Sequence, residues 1–331
     1  MEIIRGYRNL TDVRRGCVAA IGNFDGIHLG HQAVLGQLAE LAAVYGLPAV
    51  VITFEPHPHE FFSRGSARPR LTCFREKMIA LRRFAVDRVM CLRFDAKLAS
   101  MDATEFVEDV LVHGLGVRSL VVGNDFRFGR DRKGDGALLQ DLGRQHGFQL
   151  VGMQNFDIDG QRVSSTRIRA ALASGDLRGA ERLLGRRYRM SGRIIHGDRR
   201  GRAIGFPTAN VHRHRPIGGN RAGLDSSPLR GVFAVEVFGL EQVPYRGVAN
   251  VGVRPTVGGE TRCLLEVHLL DFDGDIYGRH VQVQFLARLR DEQRFESLEA
   301  LRTQITRDVQ KAREIFAGNT GTHEHALLAS N

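Results

Sequence analysis

The stretch GNFDGIHLGH at residues 22–31 decides how the first part of this chain folds. It follows the apolar run CVAAI at residues 17–21 and precedes a segment whose apolar side chains recur at helical spacing. This pattern predicts a buried strand, a turn, and a helix over residues 31–45. Backbone N–H groups at the start of such a helix are open to an anion, so the turn suits a phosphate.

The following segments repeat this alternation of strand and helix. The sequence TFEPHP predicts that a second strand, residues 49–54, ends in a rigid loop, because proline cannot continue a central strand. Later segments predict strands at 88–94, 119–122 and 148–153 and helices at 74–84, at 102–111 and after Asp135. Strands that alternate with helices form parallel sheets, whose ligands bind at the carboxyl ends of the strands.

The pattern of polar and apolar residues changes near Gly185, where we place a domain boundary. Short segments of alternating polarity with frequent glycines follow, and they predict an antiparallel barrel or sandwich. The strand candidates are residues 231–238, 248–253, 262–270 and 281–289, before a helix over 297–316. The domains are therefore expected at 1–185 and 186–316. A mobile excursion is expected at 213–230 and a disordered tail at 317–331.

Composition limits the classes of protein that this chain can be. It has 331 residues and a formal charge of +10, which favours anionic partners such as nucleotides or nucleic acid, although a plain basic surface has the same composition. Four separated cysteines without a CxxC pair argue against a disulfide or zinc framework. The chain has no apolar run of membrane-spanning length, so we expect a cytoplasmic protein without a membrane partner.

A second anion site is predicted at VSSTRIR, residues 163–169. Ser164 and Ser165 precede a helical run, so hydroxyl and amide groups collect at a helix start beside Arg167 and Arg169. The long glycine- and charge-rich loop at residues 123–136 also indicates function rather than simple connection.

Five motifs, in this order, carry a family resemblance: GNFDGIHLGH, TFEPHP, VGNDFRFG, VSSTRIR and GFPTAN. Together they resemble the bacterial bifunctional riboflavin kinase/FMN adenylyltransferases. The resemblance implies an α/β protein with an N-terminal Rossmann-like nucleotidyltransferase domain, a parallel sheet with helices on both faces. An antiparallel β-barrel riboflavin kinase domain with a C-terminal helix would follow. It also implies two reactions that use ATP and Mg²⁺: riboflavin to FMN in the second domain, and FMN to FAD in the first.

The resemblance implies roles for the first and fourth motifs in adenylyl transfer. His28 and His31 would be the catalytic donors to the α-phosphate, because charge accumulates there as FMN attacks and pyrophosphate leaves. The residues that would bind the phosphates of ATP are Gly22, Asn23, Phe24, Gly30, Ser164, Thr166 and Arg169. A plain helix cap is the alternative interpretation of Ser164.

The second and third motifs would hold the flavin. The implied flavin-binding residues are Pro56, Pro58, Phe62, Asn124, Asp125 and Phe128. Rigid apolar faces suit an isoalloxazine ring, and the two polar side chains suit the rest of the substrate. Phe62 and Phe128 could equally be ordinary core aromatics. We interpret His57 and His59 as loop residues rather than metal ligands.

GFPTAN resembles the riboflavin kinase signature, which implies that Thr208 and Asn210 bind Mg²⁺ and ATP phosphate. Hydroxyl and amide oxygens are ligands that a hard cation accepts. Gly201 and Gly205 would let the preceding loop approach the nucleotide. Glu266 matches the glutamate that serves the family as general base for the riboflavin 5′-hydroxyl, and the strand alternation places it on the face opposite Leu265. A solvated strand carboxylate is the alternative.

Two other functional readings remain open from the sequence. The chain could retain only one of the two activities, or it could be a basic RNA-binding or tRNA-charging protein that shares the HxGH motif. The helix-start motif lacks a lysine and no aromatic stripe for RNA is present, so we expect small-molecule partners, namely riboflavin, FMN and ATP, and no nucleic acid. The sequence leaves the oligomeric state open. Phe233 stands where the family commonly has tyrosine.

Overall fold

A computed structural model describes residues 1–6, 16–63, 68–197, 201, 204–213, 227–255 and 261–319. The described residues fall into two compact units: those within 1–68 and 74–165 form the first, and 69–73 with those from 166 onward form the second. The boundary near Gly185 stays a prediction. The excursion expected at 213–230 lies mostly outside the described residues, because only its two ends are included.

The first unit contains a six-stranded parallel sheet with the order β1-β4-β3-β2-β5-β6. Its strands are β1 Glu2–Arg5, β2 Cys17–Ile21, β3 Ala49–Glu55, β4 Arg88–Arg93, β5 Val117–Gly123 and β6 Gln149–Met153. The predicted parallel sheet is thus confirmed. The edge strand β1 was not predicted.

Helices connect these strands. They are α1 Leu29–Tyr45, α2 Pro58–Phe62, α3 Phe74–Leu81, α4 Ala96–Ser100, α5 Ala103–Phe106 with a π-helix at Val107–Leu115, and α6 Gly136–His146. The predicted end of one helix at Leu111 is wrong, since the chain stays helical to Leu115 and Gly116 supplies the left-handed cap at φ 61°. β3 ends at Glu55, and only residues 56 and 57 separate it from α2, because Pro58 suits the first turn of a helix.

The central strand β2 is buried on both faces. Cys17, Ala19 and Ile21 pack into one hydrophobic cluster with Val110 and Leu111. The alternate residues Val18 and Ala20 pack into the other cluster, which contains side chains of α1. Side chains of a strand point alternately to opposite faces, so helices must cover both sides of this sheet.

The strand order reverses at β2, which lies between β3 and β5. In a sheet of this kind a crevice opens at the carboxyl ends of the strands where the order reverses. The turn at residues 22–28 follows β2, and the loop that begins at Asn124 follows β5. The motifs of the first unit therefore emerge at the edge where parallel sheets bind ligands.

A short hairpin and two helices come next along the chain: β7 Asp157–Ile158, β8 Gln161–Arg162, α7 Ser165–Ser174 and α8 Leu177–Leu184. Asp159 and Gly160, with φ 53° and 69°, form the turn of the hairpin.

The second unit contains a closed antiparallel barrel with the order β10-β13-β12-β11-β14-β9. Its strands are β9 Arg189–Ile195, β10 Ala209–Arg213, β11 Gly231–Phe238, β12 Tyr245–Pro255, β13 Thr261–Leu269 and β14 His280–Arg290. The chain therefore forms the barrel rather than the sandwich. β9 and β10 were not predicted as separate strands.

The C-terminal helix α9, Leu298–Asn319, packs on the outer face of this barrel. Its Ala312 and Phe316 contact a cluster that contains Val232 of β11. Arg290 of β14 forms an ion pair with the buried Asp308 at 2.9 Å. The helix runs past its predicted end at residue 316, and the rest of the predicted tail lies outside the described residues.

No helix among the described residues is both long and apolar enough to span a membrane. The four cysteines are free thiols. Burial raises the pKa of the Cys17 thiol to about 12, so this thiol is inert as a nucleophile near neutral pH.

Two neighbouring positions of α1 test the packing against β2. Leu35 is fully buried, whereas a Cβ at the exposed Gly36 would meet no other atom within 4 Å. We expect Leu35→Ala to lower the free energy of unfolding by about 2–5 kcal/mol. Gly36→Ala should raise it by about 1 kcal/mol, because alanine favours the helix. Urea unfolding followed by circular dichroism measures both, and an unchanged midpoint for Leu35→Ala would contradict this packing.

Candidate functional site

Two histidines define the start of α1. His28 is its N-cap residue, and the His28 Nδ1 atom accepts a hydrogen bond of 3.3 Å from the backbone N–H of His31. The two rings stack with centroids 3.7 Å apart and an angle of 15° between their planes. A Cβ at Gly30 would lie 3.3 Å from two atoms of the His28 ring. Glycine therefore leaves the imidazole room to lie against the helix start.

His31 is electrostatically unusual. Its Nδ1 atom is enclosed and has no hydrogen-bond partner among the described residues. Burial lowers the pKa of His31 well below its ordinary value, and the charges of His28, Lys77 and Arg162 lower it further. The ring is therefore neutral near neutral pH and keeps one donor and one acceptor nitrogen. A bound phosphate would oppose these effects, because an anion favours the protonated ring.

The residues of the turn before α1 differ in burial and in backbone conformation. Phe24 is 1% exposed and belongs to the core, with its ring 5.2 Å from that of His31. Only the Phe24 backbone is left to contact ATP, so the side chain supports the neighbouring histidine instead. Phe24 and Ile27 have φ values of 49° and 40°, in a region that few residues other than glycine adopt. Asn23 is exposed and Gly22 half-buried, which is compatible with their predicted contacts to ATP.

The start of α7 lies beside this turn. The hydroxyl of Ser165 donates a hydrogen bond of 2.9 Å to the Asp25 carbonyl, although the residues are 140 positions apart. The Val163 carbonyl lies 3.6 Å from the position of a Cβ on Gly30. The half-buried Ser164 directly precedes α7. The first predicted anion-binding motif and the start of the second, up to Ser165, thus lie together in the first unit.

The other two residues predicted from this motif fall in the second unit. Thr166 is exposed, and the Arg169 Nε donates a hydrogen bond of 2.6 Å to the Pro69 carbonyl. Their predicted contacts with the β- and γ-phosphates stay predictions.

The predicted flavin residues have different environments. Pro56 is buried, Pro58 half-buried and Phe62 63% exposed, and the Phe62 ring contacts those of Phe61 and Phe94. Phe62 is therefore no core aromatic. An exposed aromatic face of this kind can bind a flat ligand.

The loop after β5 presents polar rather than aromatic groups. Phe128 is 8% exposed and stacks on Phe126 at 5.5 Å, which favours the alternative of a core aromatic. Asn124 and Asp125 are exposed. Arg162 donates two hydrogen bonds of 2.8 and 2.7 Å to the Asp125 carboxylate, and this guanidinium lowers the pKa of Asp125.

Arg162 is a candidate that the sequence analysis missed. It reaches Asp125 and also lies near enough to His31 to lower its pKa. A guanidinium in this position can pair with a phosphate of a bound substrate. The only local signal was its place immediately before VSSTRIR.

The candidate kinase residues meet on the barrel. Glu266 of β13 lies directly opposite Asn210 of β10, so both side chains point to the same face. Glu266 is half-buried, whereas its neighbours Leu265 and Val267 are buried on the other face, as predicted. A carboxylate and an amide therefore lie side by side on one face of the barrel sheet.

The turn that carries Thr208 is closely packed. A Cβ at Gly201 would clash with the Phe206 carbonyl and lie 3.3 Å from the Thr208 hydroxyl, so only glycine allows this approach. Gly205 has φ 85°, which also favours glycine. The His268 Nδ1 lies 2.8 Å from the Pro207 carbonyl and holds the turn against β13.

Asn250 of β12 is a second candidate that the sequence analysis missed. It lies opposite Glu266 on the side away from Asn210, so the three residues form one row across β10, β13 and β12. Side chains opposite each other in such pairs have Cβ atoms about 5 Å apart. Only the register between strands could reveal this position.

Comparisons with known proteins agree with both sets of motifs. A family model described as FAD synthetase matches residues 10–167, and one described as riboflavin kinase matches residues 184–316. Curated relatives named bifunctional riboflavin kinase/FMN adenylyltransferase are 50% identical in Escherichia coli and in Pseudomonas fluorescens, over 96% of this chain and 98% of each relative. The relative of that name in Haemophilus influenzae is 44% identical over 96% of this chain and 99% of its own length.

The chain belongs to the bifunctional riboflavin kinase/FMN adenylyltransferase family. The resemblance read from the five motifs is therefore confirmed. Membership makes the chain a kinase and a nucleotidyltransferase, and it accounts for a parallel sheet followed by an antiparallel barrel.

A solved structure described as a macrolide-efflux protein from Streptococcus pneumoniae is also similar. It is 30% identical, covers 95% of this chain and 99% of its own, and gives a TM-score of 0.74. Its description differs from those of the curated relatives. The riboflavin kinase/FMN adenylyltransferase relatives have higher identity over a similar share of the chain, so they decide the family.

The low pKa of His31 predicts how stability depends on pH. The unfolded chain takes up this proton near a pKa of about 6.5, whereas the folded protein does so only at lower pH. We expect the free energy of unfolding to fall as the pH drops below about 6.5, and we expect His31→Ala to weaken that fall. Urea unfolding of both proteins across this range measures the effect. His113→Ala, at an exposed position, is the control, and equal pH slopes for His31→Ala and wild type would contradict the prediction.

Proposed function

We propose that this chain converts riboflavin to FAD in two steps. In the barrel domain the riboflavin 5′-hydroxyl attacks the γ-phosphorus of ATP, and FMN and ADP result. In the sheet domain an FMN phosphate oxygen attacks the α-phosphorus of a second ATP, and FAD and pyrophosphate result. The observation that carries the proposal is that each domain brings separate motifs together at one place: Ser165 contacts Asp25 in the first, and Asn210 lies opposite Glu266 in the second.

For adenylyl transfer we assign His28 and His31 as hydrogen-bond donors to the α-phosphate. Their stacked rings at the start of α1 support this role, because backbone N–H groups and ring N–H groups at one helix start can donate to the same anion. No protein nucleophile is needed, since the FMN phosphate itself attacks. Gly22, Asn23, Gly30 and the Phe24 backbone complete the turn.

We assign the leaving pyrophosphate to Ser164, Thr166 and Arg169. The contact between Ser165 and Asp25 supports the placement of this helix start beside the turn. A planar guanidinium can pair with two phosphate oxygens at once, which favours departure of the pyrophosphate.

For FMN we assign Pro56, Pro58, Phe62, Asn124, Asp125 and Phe128. The exposed ring of Phe62 is the strongest support, since it offers a face for the isoalloxazine. Phe128 would act by holding the loop, because its ring is buried.

For the kinase step we assign Glu266 as the base that takes the proton of the 5′-hydroxyl. Its row with Asn210 and Asn250 supports this role, because the carboxylate shares a face with polar side chains instead of standing alone in solvent. Gly201 and Gly205 let the loop before Thr208 approach the nucleotide.

The donor set near Glu266 suits Mg²⁺. A hydroxyl from Thr208, an amide from Asn210 and a carboxylate are all hard oxygen ligands, and Gly201 leaves room beside the Thr208 hydroxyl. We propose that Thr208 and Asn210 hold the ion. When bound, it would neutralise phosphate charge during transfer.

We further propose domains at 1–185 and 186–316, a cytoplasmic location, and small-molecule substrates as the partners. Free thiols at all four cysteines support a reducing compartment.

The overall test is to incubate the purified protein with riboflavin, ATP and Mg²⁺ and separate the flavins by chromatography. Absence of both FMN and FAD would overturn the proposal.

Two variants should separate the steps. His31→Ala should lower adenylyl transfer by about 100- to 1,000-fold, so that FMN accumulates. Glu266→Gln should lower riboflavin phosphorylation by about 100- to 10,000-fold, yet still convert supplied FMN to FAD. Chromatography of the flavins measures both. If either variant lost both activities while folded, the assignment of one residue to one step would be wrong.

The metal assignment predicts the behaviour of Thr208→Val. This change keeps the shape of the side chain and removes its oxygen, so the kinase step should need more Mg²⁺ for half-maximal rate and should have a lower kcat. Titration of kinase activity with Mg²⁺ measures this. Thr303→Val, at an exposed position of α9, is the control. An unchanged Mg²⁺ requirement in Thr208→Val would remove this hydroxyl from the metal site.

A further inference from the structure

Lys77 of α3 is a fully buried lysine beneath the adenylyl-transfer motifs. Its helix neighbours Met78 and Leu81 are buried apolar side chains, so an apolar residue would satisfy the packing pattern. Burial of an ammonium is costly unless hydrogen bonds compensate for the lost water. The interactions of this ammonium therefore need an explanation.

One interaction leads to the turn proposed to hold ATP. The Lys77 Nζ lies 3.3 Å from the hydroxyl of Thr53, at the carboxyl end of β3. The Thr53 hydroxyl donates its own proton to the Asn23 carbonyl at 3.3 Å, so it accepts from the ammonium. The ammonium, the hydroxyl and the carbonyl form a chain from α3 to the phosphate turn.

The other interaction leads to the loop proposed to hold FMN. The Lys77 Nζ lies 3.0 Å from the His57 Nε2. An ammonium has no acceptor, so this ring nitrogen accepts and the proton of the neutral ring resides on Nδ1. His57 lies between Pro56 and Pro58, and its backbone N–H donates to the Glu60 carboxylate at 2.8 Å. The ammonium thus holds the proline loop.

We infer that Lys77 is a positioning residue for adenylyl transfer, whose ammonium holds the ATP turn and the FMN loop in one fixed arrangement. It does not touch the substrates, because it is fully buried. Attack of the FMN phosphate on ATP requires the two substrates to be aligned closely, and misplacement by about 1 Å costs about 100-fold in rate. This inference rests on the proposed assignment of the turn and the loop to ATP and FMN.

A metal site is the competing explanation for part of this cluster. Ligand atoms of His57, His59 and Glu60 lie within 4.8 Å of one another. A cation there would lie close to the ammonium of Lys77, which is 3.0 Å from His57. Repulsion between like charges opposes such a site and favours the hydrogen-bonded arrangement.

The test is Lys77→Met in the full chain. Methionine keeps a long unbranched side chain and removes the donors. We expect kcat for conversion of FMN to FAD to fall about 100-fold with little change in KM for ATP, because alignment rather than affinity is lost. Riboflavin phosphorylation by the same protein should be unchanged and serves as an internal measure of folding. Lys97→Met, at an exposed lysine, is the matched control.

A second readout is the titration of His31 followed by nuclear magnetic resonance. The charged or titratable groups that act on His31 are His28, Lys77 and Arg162. Loss of the Lys77 charge should raise the pKa of His31 while the other two remain. A purely space-filling role for Lys77 predicts no such change.

Thr53→Val and His57→Gln keep the inference testable if Lys77→Met does not fold. Each breaks one link of the same arrangement, so each should lower kcat for FAD formation and leave the kinase step intact. In combination with Lys77→Met the losses should not add, because the three side chains act as one unit. Wild-type kcat in both Thr53→Val and His57→Gln would overturn the inference.

Normal FAD formation by Lys77→Met would also overturn the role of Lys77. Restoration of FAD formation in that variant by added Zn²⁺ would overturn it too, because this result would favour the metal site. A wild-type protein that formed FMN but no FAD would overturn the proposed adenylyl-transfer function, and this inference with it. A selective loss in Lys77→Met, with normal activity of Lys97→Met, supports the positioning role.

Discussion

Burial of β2 on both faces is the constraint on which the first domain depends. All five residues from Cys17 to Ile21 are buried, and the strand pairs with β3 on one side and β5 on the other. Its polar backbone is satisfied only within the sheet, and its side chains must be covered by helices above and below. The chain can therefore turn only beyond the carboxyl end of β2, and the turn that leads to His28 and His31 lies there.

The two proposed phosphate sites are formed by different means. In the sheet domain, the start of α1 supplies backbone donors, and Gly30 allows the His28 ring to lie against them. In the barrel domain, register between antiparallel strands places Asn210 and Glu266 opposite each other. The first arrangement depends on a local turn, whereas the second depends on strands more than 50 residues apart. The N-terminus of a helix and the register of paired strands can each bring polar groups together at one place.

Much of the fold was predictable because local patterns agree with it. The bounds of β2 and β11 are the same as the predicted bounds, since each is an apolar run that ends before a glycine. The strands β1 and β10 were missed. The first is a short edge strand that pairs with β4, and the second lies at the end of a glycine-rich stretch and becomes a strand through its pairing with β9 and β13. Pairing with a distant partner leaves no periodic signal in the segment itself.

The sequence by itself determined the family, the order of the motifs and the residue types at both candidate sites, because each motif is a short stretch whose chemistry can be read locally. Tertiary structure alone decided which of those side chains are buried, which are exposed and which distant residues they contact. The fold buries the Phe24 ring in the core and places the Ser165 hydroxyl against the Asp25 carbonyl. It also placed Lys77 between Thr53 and His57. These contacts join residues from 20 to 140 positions apart, and only the packing of whole strands and helices fixes such distances.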